Sequence, residues 1–341
     1  VREDCELPTA NREFPTASIL IVAAIVALGA AQAGDPLPSW NDGEAKREIV
    51  DFVARVTREG GPDFISVADR IAAFDNDGTL WAEKPLPVEA YFVLARIREL
   101  AAKDSSLKDR QPFKAALEGD AAYFHEAGPK AVLELLVAAE TGMSQEQFSG
   151  KAREFIEKGR HPQLDRPFSQ ITYQPMIELI DYLRENGFRI WLCSGGSTDF
   201  MRVFAPQFYG VPVDQVIGSE VKREFKTDGG RPVVWRLPAI ETINDKEAKP
   251  LGLDKHVGKR PVFVAGNVGA FGDLAMMQYS KGRPGPSFQL LIHHDDAKRE
   301  FAYDEKDNGS LKAAEKYGFT VVSIEKDWKT VFRSRRAASA P

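Results

Sequence analysis

The sequence predicts an α/β protein on a doubly wound, mostly parallel sheet, with a helical cap inserted early in the chain. Three observations lead there. Five short apolar runs, at 71–74, 189–193, 261–265, 289–292 and 320–324, lack polar alternation, the pattern of strands covered on both faces. Stretches of helical periodicity separate them, as in a sheet wound by crossover helices. The segment 84–172, between the first two runs, reads as mostly helical.

Taken in order, the chain begins with mixed charge (Arg2, Glu3, Asp4, Glu6, Arg12, Glu13), then an uncharged apolar run at 17–31 and the triplet Ala31-Gln-Ala33. An apolar core ending in A-x-A is the pattern of a secretory signal peptide. A spanning helix needs about 20 apolar residues, so a permanent span is the lesser expectation. Residues 1–33 are therefore expected to be a signal peptide and the protein to be exported, periplasmic or secreted; an uncleaved anchor and a cytosolic protein are the alternatives. Removal of that segment takes Cys5 with it and leaves Cys193 without a disulfide partner. Cys193, inside Ile190-Trp-Leu-Cys193, reads as a small buried hydrophobe.

The core is expected at 34–83 and 173–330, the cap at 84–172 and a tail at 331–341. In the cap, apolar periodicity is visible at 88–100 and 131–139, and 160–167 reads as a linker returning to the core. Met176, Ile177, Leu179, Ile180 and Leu183 form one helical stripe, which Gly187 ends. A second insertion at 216–237 carries the turn Asp228-Gly-Gly230 between 220–226 and 232–236, a β-hairpin signal. The composition, 43% hydrophobic and 28% charged with a formal charge of −5, is that of a globular chain, and nothing marks a nucleic-acid binder. The basic run Arg333-Ser-Arg-Arg336 reads as a frayed end.

Ligands of open α/β sheets sit beyond the carboxyl ends of the strands, so polar residues following the apolar runs are expected to converge. Asp75-Asn-Asp77-Gly-Thr79 follows the first run. Two carboxylates so spaced on a chain leaving a strand can face one pocket, and Gly78 permits the turn. Ser194-Gly-Gly196 follows the second run; its hydroxyl and backbone N–H groups can donate to anionic oxygens. Gly266-Asn-Val-Gly-Ala-Phe-Gly-Asp273 follows the third, preceded by Lys246-Glu-Ala-Lys249-Pro250.

D-x-D-G-T after a buried strand, with the later motifs in this order, resembles the haloacid dehalogenase superfamily in its phosphoserine-phosphatase-like branch. The resemblance spans roughly residues 65 to 325 and implies Asp75 as nucleophile, Asp77 as general acid and base, and Lys249, preferred over Lys246, Lys255 and Lys259, as the cation facing the phosphate. It implies Ser194, Gly195 and Thr79 as substrate-binding residues. Mg²⁺ is implied as cofactor, held by Asp75, Asp77 (backbone carbonyl), Asp273 and Asn267. Asn267 stands where the family usually offers an acid, and Asp273 stands six positions on rather than four. A carboxylate nucleophile needs a cation to relieve its repulsion with phosphate, and Mg²⁺ suits all-oxygen sites with few carboxylates. The implied activity is phosphomonoester hydrolysis on a small phosphorylated substrate. Phosphoryl transfer to an alcohol, pyrophosphate hydrolysis and a non-catalytic binding member are the alternatives.

Other signals are read more plainly. His293-His-Asp-Asp296 is expected to be a strand-end turn with a hydrogen-bonding role. Trp81 either walls the pocket or packs under the cap, and Tyr173 lies where the cap rejoins the core. Asp199 and Arg202 are expected to be helix-start and surface residues. His125, His161 and His256 are expected to be structural or solvated, and Asn308-Gly-Ser310 is a glycosylation sequon of a size that arises by chance.

Overall fold

Each of the five apolar runs becomes a strand, and a sixth parallel strand joins them where no apolar run announced one. The computed structural model describes residues 34–269 and 272–333. The expected signal segment, Cys5 and residues 334–336 of the basic run lie outside them. All elements below belong to the unit that begins at Pro36.

Helix α1 (Glu44–Thr57) precedes β1 (Ile71–Phe74). The insertion that follows holds α2 (Val88–Lys103), α3 (Phe113–Glu118), α4 (Ala121–Ala127), α5 (Pro129–Glu140), β2 (Met143–Ser144), α6 (Gln145–Lys158), β3 (Arg160–His161) and β4 (Arg166–Pro167). Then come α7 (Gln174–Glu185), β5 (Arg189–Ser197), α8 (Thr198–Tyr209), β6 (Val216–Asp228) and β7 (Arg231–Thr242). The chain continues through α9 (Ala248–Val257), β8 (Phe263–Asn267), α10 (Leu274–Lys281), β9 (Phe288–His293), α11 (Gly309–Tyr317), β10 (Thr320–Ser323) and α12 (Ile324–Asp327).

The sheet order is β10-β9-β8-β1-β5-β6-β7-β2. The pairs from β10 to β6 are parallel and the last two are antiparallel. Alternate residues of β1 feed different apolar clusters: Ala72 and Phe74 pack on one face, Ile71 and Ala73 on the other. Burial on both faces is why these runs lack polar alternation. Phe74 lies level with Leu192 of β5 and Ala265 of β8, so Asp75, Ser194 and Asn267 leave the sheet along one edge.

Four expectations change in detail. The hairpin of the second insertion is the overrun of a core strand: Val216 and Ile217 pair with β5 in parallel before β6 turns out toward β7. The linker at 160–167 folds into a small hairpin, β3 against β4. There, buried His161 donates from Nε2 to the Lys84 carbonyl at 2.8 Å and accepts from Leu164 N at Nδ1. β2 adds to β7, stitching the helical insertion to the hairpin. Packing also continues past residue 330, because Val331 and Phe332 are buried and Phe332 stacks on Tyr173. No helix among the described residues is long and apolar enough to cross a membrane.

Candidate active site

Asp75 is held at the end of β1 by its own N–H, which donates to Ala265 O at 3.0 Å. The turn after it is closed by Leu80 N to Asn76 O at 2.8 Å and Gly78 N to Trp81 O at 2.9 Å. Gly78 sits at φ +73°, and a Cβ there would stand 2.0 Å from Asn267 Nδ2. The turn therefore demands glycine for both backbone conformation and space.

Lys249, near the start of α9, is buried and bridges two carboxylates. Its Nζ donates to Asp75 Oδ1 at 2.6 Å and to Asp273 Oδ1. Burial alone would weaken the ammonium, but Asp273 and Asp75 outweigh it and raise its pKa. Asp273 accepts from Asn267 N at Oδ2, 2.9 Å away. Expected as a metal carboxylate, Asp273 thus has both oxygens engaged, one by lysine and one by backbone. Burial and the Asp273 charge push Asp75 well above the usual carboxylate range, with Lys249 pulling the other way.

Asp77 is raised by burial to about 6, a value suited to giving and taking a proton near neutrality. Trp81 neither walls an open pocket nor merely packs. Its Nε1–H donates to Asp77 Oδ1 at 2.7 Å while its ring stacks on Phe204 at 4.6 Å, which fixes the carboxyl on a rigid aromatic. Ser194 is buried, and its Oγ accepts from Gly196 N at 3.2 Å. A Cβ at Gly196 would lie 3.6 Å from Ser194 Oγ and 3.9 Å from Asp77 Oδ2, so the second motif faces the acid directly. Gly195 stands beside Asp245, and its carbonyl accepts from Ser219 Oγ at 2.7 Å. Thr79 is fully buried with no partner for its hydroxyl.

Several residues at the site escaped the sequence reading. Glu89, on the first turn of α2, accepts from Ser197 N at 3.0 Å, and a Cβ at Gly196 would meet its Oε2 at 2.8 Å. Glu89 and Glu140 are both raised, first by burial, and share a hydrogen bond. Glu140 accepts from Ser197 Oγ at 3.0 Å and from Arg236 at 2.8 Å, and Arg236 also pairs with Asp199. Asp199 is accordingly a buried network member rather than a surface residue. Tyr173 is buried, and its hydroxyl donates to Glu300 Oε1 at 2.6 Å. Cys193 is buried, its thiol pushed up to about 12. Only the acid Glu89, placed at a helix start, left a signal that a sequence search could have followed.

Two buried carboxylates, Asp75 and Asp273, and the partly buried Asp77 lie here, with Lys249 as the ammonium bound between the first two. An oxygen-only donor set with surplus negative charge fits a hard divalent cation. Among the described residues no three His, Cys, Asp or Glu side chains form a ready cage.

The family model of haloacid dehalogenase-like hydrolases matches residues 72–274. No curated protein matches the chain. Among solved structures, a conserved protein of unknown function from Anaerococcus prevotii DSM 20548 is 16% identical, covers 87% of this chain and 97% of its own, and has a TM-score of 0.55, a likeness of fold. A protein of unknown function from Bordetella pertussis Tohama I is 14% identical over 74% of this chain and 97% of its own, with a TM-score of 0.47. A phosphoserine phosphohydrolase-like protein from Francisella tularensis subsp. tularensis SCHU S4 is 17% identical over 72% and 99%, with a TM-score of 0.37.

Proposed function

The chain belongs to the haloacid dehalogenase-like hydrolases, and from that premise we propose that it is a Mg²⁺-dependent phosphatase of small phosphomonoesters, working through an aspartyl-phosphate on Asp75. The observation that carries the reading is the buried Lys249 ammonium bridging Asp75 and Asp273, beside an Asp77 carboxyl poised near neutrality.

An Asp75 carboxylate oxygen attacks phosphorus while the bond from phosphorus to the leaving oxygen breaks, and Asp77 gives that oxygen its proton. Asp77, now ionised, takes a proton from water; the water oxygen attacks phosphorus, the Asp75–phosphorus bond breaks, and inorganic phosphate leaves. Lys249, Ser194 and the Gly195 backbone stabilise the equatorial oxygens, where transition-state charge gathers. Asp75, the Asp77 backbone carbonyl and Asn267 would hold Mg²⁺, which supplies charge neutralisation between the carboxylate and phosphate. Asp273 braces Lys249 and the Asn267 backbone. Trp81 keeps Asp77 aimed, and the helical insertion excludes water from the first step.

The test is phosphate release from a panel of phosphomonoesters and pyrophosphate, with Mg²⁺, with EDTA and with Asp75→Asn. Release that requires Mg²⁺ and falls at least about 10³-fold in the variant is expected. Undiminished release by Asp75→Asn would remove the covalent mechanism. New phosphoesters formed with added alcohols would redirect the reading to phosphoryl transfer.

A further inference from the structure

We infer that Glu83 is a positioning residue for the divalent cation: it turns the Asn267 amide oxygen toward the metal and returns the negative charge that asparagine lacks at that strand end. The inference rests on the Mg²⁺-dependent reading of the same site.

Asparagine presents an oxygen on one side and a nitrogen on the other, and only the oxygen can ligate a cation. Glu83 decides which is which. Its Oε1 lies 3.4 Å from Asn267 Nδ2, and a carboxylate only accepts, so the atom facing it must be the NH₂ group. Tyr303 OH lies 3.3 Å from the same nitrogen, and Tyr303 is itself hydrogen-bonded to Glu83. The phenol proton is thus engaged by Glu83, leaving the phenol oxygen to accept from the amide. Gly78 closes the third side, with no room for a Cβ.

The amide is clamped, and Asn267 is only 5% exposed. With its NH₂ group held toward Glu83 and Tyr303, the amide presents its oxygen on the opposite side, where a cation can take it.

The clamp is itself braced. Lys84 Nζ lies 3.5 Å from Glu83 Oε1 and 4.5 Å from the Tyr303 ring centroid. Tyr303 stacks on buried His294 at 4.3 Å, and His294 Nε2 bonds the Gly78 carbonyl at 2.8 Å. The turn that carries Asp77 and the strand end that carries Asn267 are therefore tied through one platform, the arrangement by which outer groups orient metal ligands.

Calorimetric titration of the full chain with Mg²⁺ tests this, with metal-free thermal melts to confirm folding. E83Q keeps shape and loses charge; it should bind Mg²⁺ about 10–100-fold more weakly than wild type while melting normally without metal. The double variant E83Q/N267D exchanges carboxylate and amide, and it should recover affinity to within a few-fold of wild type. Wild-type affinity in E83Q, or a double variant as weak as E83Q, overturns the role given to Glu83. Absence of Mg²⁺ binding by the wild-type protein overturns the metal-dependent reading, and this inference with it.

Discussion

Gly78 has no side chain, and the pocket leaves room for none. Its φ of +73° costs an L-residue about 1–2 kcal/mol, and a Cβ would meet the Asn267 amide at 2.0 Å. Gly78→Ala should destabilise the protein by at least about 2 kcal/mol in urea unfolding and displace the Asn267 amide. Phosphate release should then fall with the displaced amide; a fully active, fully stable variant would contradict the geometry. Neighbouring Trp81 shows the same economy at residue scale. One indole both packs on Phe204 and orders the Asp77 carboxyl.

At the scale of elements, β7 is the hinge of the architecture because one residue on it, Arg236, joins three pieces of chain. It bonds the α5 residue Glu140, the α8 residue Asp199 and Gln145 at the start of α6, and its guanidinium lies 3.9 Å from the Phe148 ring centroid. All this occurs at 0% exposure. Removing one partner of such a buried network leaves carboxylates uncompensated, which costs about 3–5 kcal/mol. Arg236→Met should lose that much stability by chemical denaturation and release the β2–β7 pairing, visible as faster amide exchange at Gly142, whose N–H donates to the Arg236 carbonyl at 2.9 Å. Unchanged exchange there would mean that the helical insertion is held by its apolar contacts alone.

For the whole molecule, the acid pair Glu89–Glu140 couples stability to pH. Both carboxyls are raised above their ordinary value of 4.5 by burial, so the folded protein holds a proton that the unfolded chain releases. Stability from that proton is fully present below the unfolded value and is lost as pH rises through the folded one. Glu89→Gln keeps the donor toward Glu140 and removes the titration. The variant should melt above wild type by about 2–4 °C at pH 8 to 9, with the gap closing toward pH 5. A gap that does not change with pH would mean that the pair holds no proton. The same pair links the insertion to the second motif through Ser197, so the pH response and the closed site belong to one network.

By itself the sequence determined the sheet and the residues at its carboxyl edge. Strands buried on both faces must be continuously apolar, and polar groups that meet a ligand follow them directly, so Asp75, Asp77, Ser194 and Asn267 were visible as local pattern, while Lys249 was picked out from its neighbouring lysines only through the family resemblance. The sixth strand was not, because Val216 and Ile217 are too short a run to register against the polar hairpin that continues them. Only the tertiary structure decided that Asp273 serves Lys249 and the Asn267 backbone, that Asp199 is buried, and that Glu83 and Tyr303 surround the site. The physical reason is common to these cases. A charged residue on a helix or loop looks the same in sequence whether it meets water or a partner far along the chain, and its role is set by that partner.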